Sequence, residues 1–420
     1  MTVSLGQSDQ KAPLPPPRRR GVWVAIIAAA AILVFGLIPL LLNTNSPPTA
    51  GSLVPPTFGE ATVPSNVTWS RVPNDDSVFG GEGDQQMVSV IAGGPGLVAV
   101  GSDGLEGADH RTAIWTSVDG LSWSRITHDP VVFGVDDALR SVTTGGPGLV
   151  AVGSAEDHVA AVWTSTDGLT WARVPHDDAT FVQGWMSSAT SGGPGLVAVG
   201  ELDPDAAVWT SVDGLTWSRV PHDDAVFGQA RMNSVTVGGP GLVAVGSDGS
   251  GAAVWTSPDG TSWSRVPHDD AVFGTAGTVS MNSVTAGGPG LVAVGYDGAF
   301  GGSRPPVWTS VDGVIWTRVP DDQANFTDLG DSSMESVIAG GPGLVAVGAS
   351  HLDAIGRGEP PTAASWTSAD GISWSRIPYD EEAFGRGQMN MVTVGSSGLV
   401  AVGTDGSYWD GDAAVWVSDD

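Results

Sequence analysis

Histidine, serine and aspartate recur close together in this sequence, and they are the residue types that build nucleophilic triads and metal sites. His-Asp pairs begin at His128, His176, His222 and His268, and a Ser-x-Asp-Gly segment starts eleven residues before each of them. A triad needs these groups within hydrogen-bonding distance, and a metal ion needs its ligands to converge at about 2.0–2.6 Å. The elements that carry these residues therefore decide whether either site forms.

The residues around these pairs belong to a repeat with a period of 46 to 55 residues. One unit contains the segments MNSVT, GGPGLVAVG, AAVWTS and WSRVP, with Asp-Gly between the last two. Each segment is rich in β-branched or aromatic residues and is bounded by Gly, Pro or Asp-Gly, which predicts four strands per unit. The segment GLVAVG begins at Gly96, Gly148, Gly195, Gly241, Gly290, Gly343 and Gly398.

Seven units of four strands predict an all-β domain at residues 67–420, a seven-bladed β-propeller. A solenoid of stacked repeats is the alternative. The chain begins with a lone fourth strand, VTWSRVP at Val67–Pro73, and ends after a third strand, AAVWVSDD. The first strand can therefore complete the last blade and close a ring, whereas a solenoid would need capping repeats.

Each unit is expected to form a hairpin between its third and fourth strands, with Asp-Gly at the turn. A two-residue turn at Asp259-Gly260 would place Val254 opposite Arg265. In that register Trp255 and Trp263 would point to opposite faces of the blade, and both would be buried by neighbouring blades. The residues given this structural role in four of the hairpins are Trp115, Asp119, Trp123, Trp163, Asp167, Trp171, Trp209, Asp213, Trp217, Trp255, Asp259 and Trp263.

These hairpins resemble the Asp-box (BNR) repeats of sialidases and sortilin-type propellers, whose pattern S-x-D-x-G-x-T-W lies in the same hairpin. The segments here lack the residue between Asp and Gly and follow S-x-D-G-x-x-W. The resemblance covers residues 67–420 and implies the propeller architecture, but the motif occurs in proteins of many functions. The matching segments are SVDGLSW (117–123), STDGLTW (165–171), SVDGLTW (211–217), SPDGTSW (257–263), SVDGVIW (310–316) and SADGISW (368–374).

The resemblance also implies an enzyme hypothesis. Sialidases bind the substrate carboxylate with three arginines, one of them in an R-I-P motif, and use a tyrosine nucleophile with a glutamate partner. A residue present in nearly every blade cannot converge on one centre, so we interpret the repeated Arg-[Val/Ile]-Pro arginines as structural and predict no catalytic residue among them. They are Arg71, Arg173, Arg219, Arg265, Arg318 and Arg376.

The same reasoning applies to the His-Asp pairs, which follow the outermost strand of a blade. Neighbouring copies are too far apart there to share an ion, so we expect the aspartate to cap a turn and the phenylalanine after it to fix the connector to the core. Asp405, Asp410 and Asp412 offer oxygen ligands suited to Ca²⁺, but their spacing does not match an EF-hand loop. We therefore predict neither a metal site nor a cofactor.

Function is expected where the repeats differ from one another. The middle residue of Met-x-Ser on the innermost strand varies and would form a mixed polar ring in the central channel. The loops between second and third strands open on the same face and also vary, either because they contact a ligand or because they tolerate insertion. The candidate binding residues at this channel mouth are Arg140, Trp185, Arg231, Asn233, Asn282, Glu335, Asn390, Tyr408 and Trp409.

The N-terminal residues predict a membrane anchor. Residues 21–42 carry no charge and exceed the roughly 20 residues needed to cross a bilayer, and Arg18, Arg19 and Arg20 before them predict a cytoplasmic tail at 1–20. Residues 43–66 are rich in Pro, Ser and Thr, which is typical of an extended linker. A cleaved signal peptide is the alternative, although its apolar region is usually about 7–15 residues long.

Charge and composition exclude several classes of function. Four of the 17 basic residues and one of the 46 acidic residues precede residue 21, so the rest of the chain has 13 basic against 45 acidic residues. Such a surface repels nucleic acid. The chain has no cysteine, which excludes disulfide bonds and thiolate metal sites.

The sequence therefore predicts a single-pass membrane protein that displays a propeller outside the cell as a non-catalytic binding or scaffold module for a protein or glycan. A sialidase-like carbohydrate hydrolase acting at the channel mouth is the alternative, and a purely structural component of the cell envelope is a third. Fold alone does not separate them. Two carboxylates about 5–10 Å apart in a pocket would favour hydrolysis.

Overall fold

The computed structural model describes residues 67–81, 83–104, 111–275, 278–298, 304–321, 324, 326, 332–341, 343–350, 360–407 and 410–418. The predicted tail (1–20), anchor (21–42) and linker (43–66) lie outside these residues. In the part of the chain that is described, no helix has the length and apolar character needed to span a membrane. The membrane anchor stays a prediction.

The described strands form seven antiparallel sheets of four strands each, as the repeat predicts. Blade 1 contains β2 (Asp84–Gly93), β3 (Gly96–Gly104), β4 (Arg111–Ser117) and β5 (Trp123–Arg125). Blade 2 contains β6 (Ala138–Gly145), β7 (Gly148–Ala155), β8 (Val159–Ser165) and β9 (Trp171–Arg173), with a 3₁₀ turn at Glu156–His158. Blade 3 contains β10 (Trp185–Gly192), β11 (Gly195–Leu202), β12 (Asp205–Ser211) and β13 (Trp217–Arg219).

The remaining blades repeat this order. Blade 4 contains β14 (Ala230–Gly238), β15 (Gly241–Asp248), β16 (Gly251–Ser257) and β17 (Ser264–Arg265). Blade 5 contains β18 (Val279–Gly287), β19 (Gly290–Asp297), β20 (Val307–Ser310) and β21 (Trp316–Arg318). Blade 6 contains β22 (Ser332–Gly340), β23 (Gly343–Ser350), β24 (Thr362–Ser368) and β25 (Ser375–Arg376). Blade 7 contains β26 (Gly387–Gly395), β27 (Gly398–Ser407), β28 (Asp410–Ser418) and β1 (Trp69–Arg71).

The ring closes through the two ends of the repeat region. Strand β1 pairs with β28, with Trp69 opposite Ser418 and Arg71 opposite Trp416. The first strands of successive blades contact one another around the ring, including β26 of blade 7 and β2 of blade 1. The predicted seven-bladed propeller and its closure by the N-terminal strand are therefore confirmed.

The core is divided into layers between neighbouring blades. Val197, Val199 and Val208 of blade 3 pack against Met232 and Trp255 of blade 4, and each of these side chains is at most 1% exposed. The second strand is apolar at consecutive positions because both of its faces are covered. Burying each large apolar side chain contributes about 1.5–3 kcal/mol, so the stability of the domain resides in these layers.

The predicted register of the outer hairpins is wrong by one residue. Arg265 pairs with Trp255 rather than with Val254, because the connection is longer than a two-residue turn. Ser257 Oγ accepts a hydrogen bond from the Gly260 N–H at 2.8 Å, and Asp259 Oδ1 accepts two more from the next two amides at 2.8 and 2.7 Å. These side-chain bonds stabilise a wider turn.

The corrected register changes the position of the tryptophans. Trp255 and Trp263 lie on the same face of blade 4 and share one apolar layer, so the prediction that they point to opposite faces is wrong. Trp263 Nε1 donates to the Gly260 carbonyl at 2.9 Å, which fixes its ring over the turn. The corresponding pairs Trp115/Trp123, Trp163/Trp171 and Trp209/Trp217 are also each found in one layer.

Short connectors lead from the outer strand of one blade to the inner strand of the next. Three of them contain a single helical turn: α1 (Asp224–Phe227), α2 (Asp270–Phe273) and α3 (Glu381–Phe384). Asp223 accepts from the Ala225 N–H at 3.0 Å and so caps α1, and Phe227 is 4% exposed in the layer between blades 3 and 4. These contacts give the repeated Asp and Phe a structural role.

Candidate functional site: the channel mouth

The inner strand of every blade carries one irregularity at the same place. Strand pairing shifts by one residue at the middle position of Met-x-Ser, which is Leu139-Arg140-Ser141 in blade 2 and Met389-Asn390-Met391 in blade 7, so the residues of the predicted polar ring are β-bulge residues. A bulge changes the direction in which a side chain points, which places these seven residues along the inner wall. They are Val88, Arg140, Ser187, Asn233, Asn282, Glu335 and Asn390.

The last glycine of GLVAVG makes room for the bulge. In blade 4 this residue is Gly246, which lies opposite Met232. A Cβ atom at Gly246 would overlap the carbonyl oxygen of Arg231. The repeated glycine therefore belongs to the inner wall of the channel, although the sequence shows it only as part of a strand.

Three of the predicted channel residues are asparagines that connect neighbouring blades. Asn233 Nδ2 donates to the Met281 carbonyl at 2.9 Å and to Ser280 Oγ at 3.0 Å in the next blade. Asn282 and Asn390 donate in the same way to the carbonyls of the next Met-x-Ser methionine, at 3.3 and 2.9 Å. Because this contact recurs in three blades, we interpret it as stabilising the channel wall, and it leaves these amides less free to bind a ligand.

A group of non-repeated residues lies at the end of the channel where the inner strands begin. We call Arg140, Trp185, Glu201 and Arg231 the mouth cluster; they come from blades 2, 3 and 4. The guanidinium carbon of Arg140 lies 5.2 Å from the centre of the Trp185 ring, within cation–π range. Trp185 and Glu201 are direct cross-strand neighbours on the same face of blade 3.

The charges of the mouth cluster influence one another without forming a close ion pair. Burial raises the pKa of Glu201, whereas Arg231 and Arg140 lower it and Asp203 raises it. Burial also lowers the pKa of Arg140, against the attraction of Glu201. Among the described residues, Arg140 has no hydrogen-bond acceptor, and Arg231 Nε donates only to Ser247 Oγ, at 3.1 Å. The two guanidinium groups therefore retain unused donors at the mouth.

Glu335 lies on the other side of the channel, in blade 6. Burial raises the pKa of its carboxyl group, and hydrogen bonds from Ser333 and Asn282 oppose that shift. The Asn282 Nδ2 donor lies 3.0 Å from Glu335 Oε2. The partners that act on this carboxyl group are thus an amide and a hydroxyl.

A small polar cavity lies beside this side of the mouth, at the junction of blades 7 and 1. Its volume is about 150 Å³, and Asn390 is among the residues that line it. The wall also includes Asp84, Gln86 and Gln388 from the first residues of two inner strands. The mouth therefore has an arginine and tryptophan side in blades 2–4 and an amide and carboxylate side in blades 5–7 and 1.

Some predicted residues belong elsewhere or fall outside the described residues. Tyr408 and Trp409 lie outside them, so their place at the mouth stays a prediction. Asp405 pairs with Arg71, and Asp412 accepts from Asn74 Nδ2 at 2.8 Å. Within the described ranges, no group of three or more His, Asp or Glu side chains has the geometry to hold a metal ion.

Glu201 was missed by the sequence analysis. It follows directly after GLVAVG, at a position where three other blades have serine (Ser102, Ser154 and Ser247). A comparison of the repeats at this position would have singled it out. Its proximity to Arg140 and Arg231 appears only when neighbouring blades are placed side by side.

The repeated arginines lie on the outer strands, away from the mouth. Arg265 is stacked over Trp255, with 5.5 Å between the guanidinium carbon and the ring centre, and forms an ion pair with Asp248. Arg318 pairs with Asp297 at 2.8 Å in the same way. Arg265 and Arg318 therefore hold the strands of their own blades together, and the repeated arginines do not converge on a common centre.

No family model matches this chain, and no curated protein matches it either.

Proposed function

We propose that the propeller is a non-catalytic binding module that recognises a protein or glycan at the channel mouth. The observation that carries this proposal is the mouth cluster: Arg140 stacks on the partly exposed Trp185, Arg231 interacts with the neighbouring Glu201, and both arginines have unused donors. Outside the first 20 residues the chain has 45 acidic residues against 13 arginines. Neither arginine forms an ion pair with a described carboxylate, Glu201 included, so both retain donors for an incoming anionic group.

The chemistry of the cluster narrows the ligand class. Guanidinium groups bind carboxylate, sulfate or phosphate oxygens through paired hydrogen bonds. An indole ring packs against the apolar face of a sugar or a flat side chain. A ligand with an anionic group next to such a face, as in an acidic glycan or an acidic segment of a protein, matches both contacts.

The alternative, a sialidase-like hydrolase, has less support. Retaining and inverting glycosidases use two carboxyl groups that flank the scissile bond. Glu335 interacts with Asn282 and Ser333, and Glu201 interacts with arginines and Asp203. A sialidase would also need a tyrosine nucleophile with a glutamate partner. Tyr379 stacks on Phe384 in an outer connector, with 6.4 Å between the ring centres. Tyr296 has the position in blade 5 that Glu201 has in blade 3, but it forms no hydrogen bond with a described glutamate. This arrangement favours recognition over hydrolysis.

The experiment compares the full-length chain in detergent with Arg140→Ala and Trp185→Ala variants on arrays of glycans and cell-surface proteins. Arg173→Ala is the matched control, because Arg173 is an exposed arginine on an outer strand. We expect the first two variants to lose binding and the control to retain it. If the unmodified chain instead hydrolyses fluorogenic glycosides, and Glu335→Gln abolishes this turnover, the protein is a hydrolase.

The proposal includes display at the cell surface. The uncharged stretch at 21–42, preceded by three arginines, supports a membrane anchor with a cytoplasmic N-terminus, and 43–66 would hold the propeller away from the bilayer. The side-chain hydrogen bonds of the outer hairpins support kinship with Asp-box propellers. Protease added to intact cells should degrade the propeller if the orientation is right and spare it if the orientation is reversed.

A further inference from the structure

The repeated arginine of the outer strand has an aspartate partner in four blades. The aspartate is the last or next-to-last residue of the second strand in blades 1, 4 and 5, and it lies at the equivalent position in blade 7. The pairs are Arg125–Asp103, Arg265–Asp248, Arg318–Asp297 and Arg71–Asp405. Each arginine thereby crosses the third strand to reach the second and closes the edge of its own blade.

Among the described residues, blades 2, 3 and 6 lack this pair, and in blade 3 the arginine also borders a cleft. Leu202 occupies the position that Asp248 has in blade 4, since both residues come two positions after the last glycine of GLVAVG. Arg219 is exposed, and among the described residues it has no hydrogen-bond or ion-pair partner. It also makes no stacking contact with Trp209, whereas Arg173 in blade 2 lies 5.8 Å from the centre of the Trp163 ring. Arg219 is therefore available to an external anion.

A cleft opens beside Arg219. Its volume is about 300 Å³, at the lower end of the roughly 300–1,000 Å³ typical of small-molecule sites. Its apolar wall comprises Val182, Leu202, Val220 and Phe227. Its acidic rim comprises Asp203, Asp205 and His222. The cleft thus has a cationic group, an apolar wall and an acidic rim within the space of one small molecule.

Contacts within the protein satisfy only part of the hydrogen-bonding capacity of the acidic rim. Asp205 Oδ1 accepts from the Gln229 N–H at 2.9 Å, and its other oxygen lies 3.6 Å from His222 Nε2. His222 Nε2 is closer to Asp224 Oδ1, at 2.6 Å. Asp203 is exposed. These carboxylates would repel a simple anion and attract a cationic group on the same ligand.

We propose that this cleft binds a free α-amino acid with an aliphatic side chain. The ligand carboxylate would pair with Arg219, the side chain would pack against Leu202 and Val220, and the ammonium group would face Asp203 and Asp205. A charged carboxylate on a guanidinium is one of the stronger hydrogen-bonded contacts in proteins. The site is formed by blade 3 and the connectors that join it to blades 2 and 4, and it is independent of the function proposed for the channel mouth.

The test is isothermal titration calorimetry with the full-length chain and three ligands. L-Leucine carries both charges, N-acetyl-L-leucine keeps only the carboxylate, and L-leucinamide keeps only the ammonium group. We expect L-leucine to bind, N-acetyl-L-leucine to bind more weakly and L-leucinamide to fail. Equal binding of leucine and leucinamide would overturn the role of Arg219. If N-acetyl-L-leucine binds more tightly than L-leucine, the proposal of a free amino acid is wrong and the ligand is the carboxyl terminus of a peptide.

Two substitutions test the site itself. Arg219→Ala removes the cation, and Leu202→Asp restores the ion pair found in blade 4, so each should weaken leucine binding at least about tenfold. Arg173→Ala changes the same repeat position in blade 2 and should leave binding unchanged. Arg219 and Arg173 are exposed, so circular dichroism should show an unchanged fold for those two variants. Leu202 packs against the apolar layer of blade 3, so the spectrum and urea midpoint of Leu202→Asp are measured beside its affinity, and weaker binding supports the site when both match the unmodified chain. Absence of leucine binding to the unmodified chain, or unchanged affinity in Leu202→Asp, would overturn the proposal.

Discussion

Blades 1–6 each have an outer hairpin, and every blade has an inner strand that begins at the channel mouth. The outer hairpins resemble one another closely from blade to blade, whereas the residues at the channel mouth differ. At the outer hairpins, aspartate oxygens accept two backbone hydrogen bonds in six blades, with nearly identical distances; examples are Asp119, Asp213 and Asp312. At the channel mouth, one equivalent position holds Arg140 in blade 2, Ser187 in blade 3 and Glu335 in blade 6. We infer that a side chain that recurs from blade to blade stabilises the fold, and that one that does not recur is a candidate for ligand binding.

The asparagines of the inner wall extend this comparison into the candidate site itself. Asn233, Asn282 and Asn390 were predicted to bind ligand, but they repeat, and each one donates to the next blade. Arg140 and Trp185 share the same wall without repeating, and they contact each other. Repetition therefore distinguishes structural from candidate binding residues even within one surface.

Removal of the closing strand should have the largest effect on the repeated part of the molecule. Deletion of Val67–Pro73 would leave β28 with an unpaired edge and expose Trp416, so we expect the thermal unfolding midpoint to fall steeply or the domain to remain unfolded. Deletion of residues 43–60 is the control and should leave the midpoint unchanged. Equal midpoints for the two deletions would show that β1 does not close the ring.

A tryptophan of an outer hairpin should contribute more to the free energy of unfolding than a tryptophan at the channel mouth. Trp255→Ala removes a side chain that is fully buried between two blades, and it should lower the free energy of unfolding by about 3–5 kcal/mol. Trp185→Ala removes a partly exposed ring and should cost far less. Urea denaturation of the two variants checks the difference, and similar midpoints would contradict the assignment of Trp255 to the core.

The hairpin aspartates should make stability depend on pH. Hydrogen bonds from backbone amides lower the pKa of Asp213 and Asp259 from the ordinary value of 3.8. Because the folded pKa is depressed, their contribution is complete above about pH 3.8 and is lost as the pH falls through the folded value. We expect the urea midpoint to fall less between pH 5 and pH 2.5 in an Asp213→Asn/Asp259→Asn variant than in the unmodified chain. Parallel falls would contradict this role.

The asparagine contacts between blades should have a smaller effect. Asn233→Ala removes two hydrogen bonds to blade 5 and should lower the free energy of unfolding by about 1–2 kcal/mol. Ser187→Ala changes the equivalent bulge position in blade 3, where the described side chains form no such contact, and should change it by less than about 0.5 kcal/mol. If the two variants unfold at the same urea concentration, Asn233 does not connect the blades.

The sequence predicted the blades, their number and the closing strand, because each follows from apolar segments and their spacing. It did not predict the register of the Asp259 hairpin, since turn length depends on side-chain hydrogen bonds that leave the period of the repeat unchanged. Nor did it predict the approach of Glu201 to Arg140 and Arg231, which depends on the contact between neighbouring blades. The missing aspartate partner of Arg219 is visible in the sequence as Leu202, but Ala155 and Ser350 replace the aspartate in blades 2 and 6 as well. The cleft beside Arg219, which depends on the packing of the connectors, is what the sequence could not predict.

We expect the smallest effect on stability at Arg140, because this residue belongs to the channel mouth and not to the repeated outer hairpins. Its guanidinium has no described hydrogen-bond partner and stacks only on Trp185, so Arg140→Ala should change the free energy of unfolding by less than about 0.5 kcal/mol. The same variant should lose binding at the mouth. Urea denaturation and array binding measured on one preparation separate the two properties. A large loss of stability would make Arg140 a structural residue and transfer the binding role to the amide side of the channel.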